Sequence, residues 1–145
     1  MGYDFIKKLP NILVVSNDAG ATEYIAYMIL KEQTKAKWDI LARENSPASK
    51  IFTRLELKFS FITFKEDIIN TVLSNKPDII LYGTGWQIDF STEIKKICKL
   101  YNIKSVAVID HWTKYKERFA TDAAPGNIIV MDDYAFNLAQ NTFES

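Results

Sequence analysis

The chain alternates short apolar runs with stretches in which apolar residues return every three or four positions. Asn11-Ile12-Leu13-Val14-Val15-Ser16 is continuous and β-prone, the pattern of a strand covered on both faces. After a break at Asn17-Asp18-Ala19-Gly20, residues Ala21, Tyr24, Ile25, Met28 and Ile29 share one helical face. Trp38-Asp39-Ile40-Leu41-Ala42 predicts a second strand. Ser46 with Pro47 predicts a capped helix start, with Ile51, Phe52 and Leu55 on its apolar side. Phe59-Ser60-Phe61-Ile62 predicts a short third strand. Thr63 and Glu66 then read as a capping box ahead of Ile68, Ile69, Val72 and Leu73.

Asp78-Ile79-Ile80-Leu81-Tyr82 predicts the fourth strand, ended by Gly83-Thr84-Gly85. Asp89 or Ser91 can cap a helix carrying Phe90, Ile94, Ile97, Cys98 and Tyr101, and Asn102 suits its exit. Lys104-Ser105-Val106-Ala107-Val108-Ile109 predicts the fifth strand and Asn127-Ile128-Ile129-Val130-Met131 the last. Asp132 can cap a closing helix with Ala135, Leu138 and Ala139, and residues 140–145 read as a frayed tail.

Strand alternating with helix at this spacing predicts right-handed βαβ units on a mostly parallel sheet. The expected fold is α/β, a single doubly wound, Rossmann-like sheet with helices on both faces. It takes in residues 1–145, a length suited to one domain. The expected strand order is 3-2-1-4-5 with the Ile128 strand beside the fifth. Ligands bind beyond the carboxyl ends of such strands, where the winding reverses between the first and fourth. The turns beginning at Asn17, Gly83 and Asp110 are therefore expected around a common hollow.

Lys plus Arg and Asp plus Glu both total 18, so the formal net charge is zero. No basic surface for nucleic acid is expected, and no helix-turn-helix or RNP pattern occurs. A single cysteine, Cys98, and a single histidine, His111, exclude an intramolecular disulfide and a Cys- or His-rich metal centre. His111, Asp110, Asp18 and Asp122 have no diagnostic metal-ligand spacing, so no metal is expected. No apolar run reaches the ~20 residues of a membrane helix. The first residues lack a signal peptide's basic head and apolar stretch, so a soluble, cytoplasmic protein is expected. Neither G-x-G-x-x-G nor a Walker sequence is present, and no required cofactor is expected, a nucleotide-sugar being a candidate substrate.

At the first turn, Asn17 or Asp18 can cap the helix, and Gly20 lets backbone approach a phosphate at the helix N-terminus. Asp18 would repel phosphate itself and suits a substrate hydroxyl or amine. Glu44 lies beyond the second strand near a ribose-binding position, but without the glycines of that motif it reads as a solvated glutamate beside Arg43. Gly83-Thr84-Gly85-Trp86-Gln87 can fold over a ligand, with Trp86 either stacking on it or packing on the sheet. In Asp110-His111-Trp112-Thr113-Lys114-Tyr115-Lys116-Glu117-Arg118-Phe119, His111 is the convenient acid–base group near neutral pH. Asp18 or Asp110 could orient it, or it is simply a structural histidine. Lys114 and Arg118 are either an anion clasp or a solvated pair. Ser16 lacks a nucleophile elbow, Asp133 suits a helix first turn, and Cys98 reads as a buried apolar residue.

Val14-Val15-Ser16-Asn17-Asp18-Ala19-Gly20, Gly83-Thr84-Gly85-Trp86 and Asp110-His111-Trp112-x-x-Tyr115-x-x-Arg118-Phe119 carry a family resemblance across nearly all of the chain. The chain resembles the amino-terminal half of glycosyltransferase-like proteins encoded with bacterial surface polysaccharide genes, related to GT-B glycosyltransferases and UDP-sugar 2-epimerases. The resemblance implies an acceptor-side domain lined by Asp18, Gly20, Gly83, Thr84, Gly85, Trp86 and His111, and Asn17, Asp110, Trp112 and Arg118 are expected to bind substrate with them. It gives His111 as base with Asp18 its orienter or a hydroxyl ligand. Lys114 stands where similar proteins carry Asn. The resemblance also implies that the nucleotide-sugar domain is missing from these 145 residues, to be supplied by a separate carboxyl-terminal GT-B-like subunit. Two other classes stay open: a non-catalytic nucleotide- or sugar-phosphate-binding module, and a scaffold or homo-oligomer using Trp38, Trp86 or Trp112 as anchors.

Overall fold

The computed structural model describes residues 9–83, 91–109 and 127–130. In chain order the elements are β1 (Asn11–Ser16), α1 (Ala19–Lys31), β2 (Lys37–Arg43), α2 (Pro47–Arg54), β3 (Ser60–Ile62) and α3 (Lys65–Asn75). They continue with β4 (Ile79–Gly83), α4 (Ser91–Tyr101), β5 (Lys104–Ile109) and β6 (Asn127–Val130). The strands form one sheet in the order β3-β2-β1-β4-β5-β6, and every pairing is parallel. This is the doubly wound α/β arrangement that the periodicity predicts, with β6 beside β5.

The period of two along each strand sorts the core into two layers. On one face Val14, Ile40, Ala42, Leu81 and Val108 meet Ile25 and Ile29 of α1 and Ile51 and Phe52 of α2. On the other, Leu13, Val15, Leu41, Ile80 and Tyr82 meet Ile68 and Val72 of α3 and Ile94, Ile97 and Cys98 of α4. Both faces of β1 and β4 are thus covered, which is why their sequences are unbroken apolar runs rather than alternating ones. Cys98 is buried here, and desolvation raises its thiol pKa to about 11, with nearby Lys95 opposing the shift.

Local chemistry fixes where the elements begin and end. Ser46 caps α2 as predicted: its Oγ accepts from Ser49 N–H at 3.1 Å and donates to the Arg43 carbonyl at 2.6 Å. The capping box predicted at Thr63 and Glu66 is displaced by one residue. Phe64 holds the cap position, and Asp67 Oδ2 accepts from the backbone N–H of Thr63 at 2.8 Å and of Phe64 at 2.9 Å. Those two bonds pull the Asp67 pKa below its ordinary value. The predicted exit at Asn102 is present: its φ of 55° is left-handed, and Ile103 N–H closes onto the Cys98 carbonyl at 2.8 Å. The predicted helix after Asp132 and the tail at 140–145 lie outside the described residues.

Candidate functional site at the winding reversal

The reversal lies between β1 and β4, whose registers run from Ile12 opposite Ile79 to Val15 opposite Tyr82. Their carboxyl ends are Ser16 and Gly83, and α1 starts directly above them. Gly83 is buried and is the last residue of β4, not a turn, and its φ is not positive. Its requirement is steric. A Cβ built there would stand 2.7 Å from Ala21 Cβ and 3.0 Å from Ser16 Oγ, well inside contact distance. The missing side chain lets α1 sit against the strand ends.

The first turn of α1 is anchored by a buried relay. Thr22 Oγ1 donates to the Asp18 carbonyl at 2.5 Å, and Ser16 Oγ lies 2.6 Å from Thr22 Oγ1. Thr22 has one hydroxyl hydrogen and spends it on a carbonyl that can only accept, so Ser16 is the donor to Thr22. Ser16 and Thr22 are almost fully buried. Ser16 is buried and its hydrogen goes to a hydroxyl, not to a base, which does not activate a nucleophile. Thr22 escaped the sequence reading because nothing in the spacing of a lone serine and threonine distinguishes a relay from two solvated hydroxyls.

Asn17 and Asp18 are half-buried and form the turn between β1 and α1. Asn17 Nδ2 donates to Asp18 Oδ1 at 3.0 Å, and the Asn17 carbonyl accepts from Ala48 N–H in the first turn of α2 at 3.0 Å. The turn is thereby tied to α2 as well as to α1. Asp18 occupies the N-cap position with extended backbone, but its side chain makes no cap hydrogen bond. The first turn of α1 contains no acidic residue, and Gly20 is exposed within it. Backbone N–H groups in a helix's first turn have no intrahelical acceptors, and together with the helix dipole they attract an anion.

The structure therefore brings Asn17, Asp18, Gly20 and Gly83 to one end of the sheet. Thr84, Gly85, Trp86, Asp110, His111, Trp112 and Arg118 lie outside the described residues. The ends that lead to them, Gly83 and Ile109, belong to the adjacent strands β4 and β5. Glu44 is exposed in the turn after β2, one strand away from the reversal. Among the described residues no group of three His, Cys, Asp or Glu side chains could hold a metal ion, and no helix is long and apolar enough to cross a membrane.

No protein-family model and no curated protein sequence matches the chain. Solved structures do match in shape. MurG from Acinetobacter baumannii superposes with a TM-score of 0.60 at 8% identity, over 83% of this chain and 44% of that one. The fold is Rossmann-like. A signal receiver domain of a modulated diguanylate cyclase from Desulfovibrio desulfuricans follows at 0.49 and 16% identity, over 93% of this chain and 91% of that one. A short-chain dehydrogenase/reductase from Veillonella parvula, solved in complex with NADP, gives 0.46 and 13%, over 69% and 48%. At these identities the likeness is one of fold alone. The chain spans less than half the length of the MurG chain it matches.

Proposed function

We propose that the crevice at the β1–β4 reversal binds a nucleotide or sugar phosphate, and that the chain serves as the acceptor-side part of a nucleotide-sugar-dependent glycosyltransferase-like system. One observation carries the proposal: α1 is held by Gly83 and the Ser16–Thr22 relay so that its acid-free first turn opens at the reversal. The anionic group of the ligand sits against the N–H groups around Gly20. A sugar hydroxyl is the complementary partner for Asp18, whose carboxylate accepts but cannot donate. Following the motif resemblance, His111 takes a proton from the attacking hydroxyl, and Arg118 adds a bidentate clasp on the anion. A partner chain or second domain completes the site around the ligand. The match over 44% of MurG is in keeping with one part of a larger enzyme.

Calorimetric titration of the chain with UDP-, GDP- and CMP-sugars tests the binding. At least one is expected to bind, and Gly20→Asp, which puts a carboxylate in the first turn of α1, is expected to weaken it about tenfold or more. A chain that binds none of them, or a Gly20→Asp chain that binds equally well, contradicts the proposal. The competing view, recognition without turnover, is separated by product formation in the presence of the partner: His111→Ala abolishes turnover and spares binding if His111 is the base.

A further inference from the structure

Because every strand is parallel, the strands start along one edge of the sheet, opposite the crevice, and α1, α3 and α4 end there. Backbone bonds lace the strand starts together. Lys37 N–H donates to the Pro10 carbonyl and Asp78 N–H to the Asn11 carbonyl, each at 2.8 Å, and Lys104 N–H donates to the Asp78 carbonyl at 3.4 Å. The edge carries Lys31, Lys35, Lys37, Lys76, Lys99 and Lys104, all exposed, against two acids, Glu32 and Asp78. Glu32 is paired with Lys35 at 3.0 Å, which leaves five lysines to one carboxylate. Lys31, Lys76 and Lys99 close helices, whose dipoles set about −0.5 charge at each end, too little to neutralise the edge. Lys37 and Lys104 begin strands, so no helix accounts for them. One layer further in, Asp39 and Glu56 are matched by Lys58 and Lys96, and the other described charges balance to within one. The positive charge is therefore confined to this edge.

The edge is also apolar. Eight large apolar side chains are exposed among the described residues, and Leu9, Leu30, Leu73, Leu100 and Tyr101 are five of them, Leu100 at 75%. We propose that this edge docks the protein on an anionic lipid surface, its lysines on the headgroup phosphates and Leu73, Leu100 and Tyr101 at the boundary with the acyl chains. Composition selects lipid over other polyanions. Every cation here is lysine, and both described arginines, Arg43 and Arg54, lie elsewhere. Arginine reads nucleic acid by its bidentate fork and is enriched in protein interfaces, from which lysine is depleted. Lysine interleaved with leucine suits a bilayer surface, where the stem lies along apolar groups and the ammonium reaches the phosphates. Docked in this way, Asn17–Gly20 and the end of β4 face away from the lipid, so the inference stands apart from the reading of the crevice.

The test sediments the full chain with vesicles of phosphatidylcholine containing about one-quarter phosphatidylserine, and with vesicles of phosphatidylcholine alone. Binding is expected to the first and not to the second, and to be lost as salt shortens the screening length. Lys76→Glu with Lys104→Glu is expected to weaken binding at least about tenfold, since each lysine near the surface is worth about fivefold. Leu100→Ser is expected to weaken it about threefold or more. Lys50→Glu with Lys65→Glu makes the same change in net charge away from the edge and is expected to leave binding within about twofold. A nitroxide-labelled lipid should broaden the amide signals of Lys31, Lys76 and Leu100 and spare those of Gly20 and Asn45. Failure to sediment with the anionic vesicles, equal sedimentation with the neutral ones, or equal weakening by the Lys50 and Lys65 changes overturns the proposal. A single-stranded oligonucleotide that binds as well as the vesicles, and is indifferent to Leu100→Ser, would make nucleic acid the occupant and overturns it too.

Discussion

Replacing Gly83 by alanine probes the contact that sets α1 on the sheet. The new Cβ would lie 2.7 Å from Ala21 Cβ, where apolar carbons prefer about 3.5–4.0 Å, so α1 must retreat by ~1 Å. Ala21 is fully buried, and the second close atom, Ser16 Oγ at 3.0 Å, is committed to Thr22. Neither yields as a surface side chain would. Overpacking of this kind costs about 1–3 kcal/mol. Alanine also lowers the entropy of the unfolded chain, which returns about 0.4–1 kcal/mol because the φ here is not positive. The midpoints of these two ranges leave a net loss of about 1.3 kcal/mol expected in urea unfolding, with an unchanged m-value. Ala21→Gly removes the atom that collides, at its own cost of about 1–2 kcal/mol from helix propensity and lost methyl burial. Combined with Gly83→Ala, it is expected to cost at least ~1 kcal/mol less than the sum of the two. A neutral or stabilising Gly83→Ala, or two losses that simply add, refutes the close-approach account.

Ser46→Ala removes a buried cap of α2 and is expected to lower stability by about 1–2 kcal/mol in the same unfolding assay. Asp67 has a depressed carboxyl pKa, so its contribution is present above the ordinary value of about 3.9 and is lost as pH falls through the folded value. NMR titration should place its midpoint below that of an unperturbed aspartate, and Asp67→Asn should flatten the acid limb of the stability profile. The Cys98 thiol is raised, so its contribution is complete below the unfolded value of about 8.5 and fades as pH rises toward about 11. At pH 8 alkylation of the native chain should run at least about two orders of magnitude slower than in denaturant, as thiolate fraction alone requires. Equal rates would show that Cys98 is not buried.

The strands and their order were legible because burial on both faces leaves a continuous apolar run with turn residues at each end. Asn11–Ser16 and Lys104–Ile109 match the predicted spans, and β2, β3, β4 and β6 differ from theirs by a residue or two at their ends. The cap at Ser46 and the exit at Asn102 were legible because each rests on one residue's own chemistry. The start of α3 was not, since Thr63, Phe64, Glu66 and Asp67 offer overlapping caps and only the backbone path selects Asp67. Gly83 was placed at the right end of the sheet with the wrong cause: a strand-exit turn and a helix contact leave the same letter in the sequence. The relay from Ser16 through Thr22 to the Asp18 carbonyl depends on tertiary approach and leaves no local pattern.

The central claim is that a ligand's anion is received at the first turn of α1. Amide chemical shifts of the isotopically labelled chain, followed during titration with UDP and with a UDP-sugar, test it most directly. The largest changes are expected at residues 17–22 and at Gly83, saturating together with one dissociation constant. Shifts confined to other parts of the chain, with the amides of Asp18 through Thr22 unmoved, would contradict it.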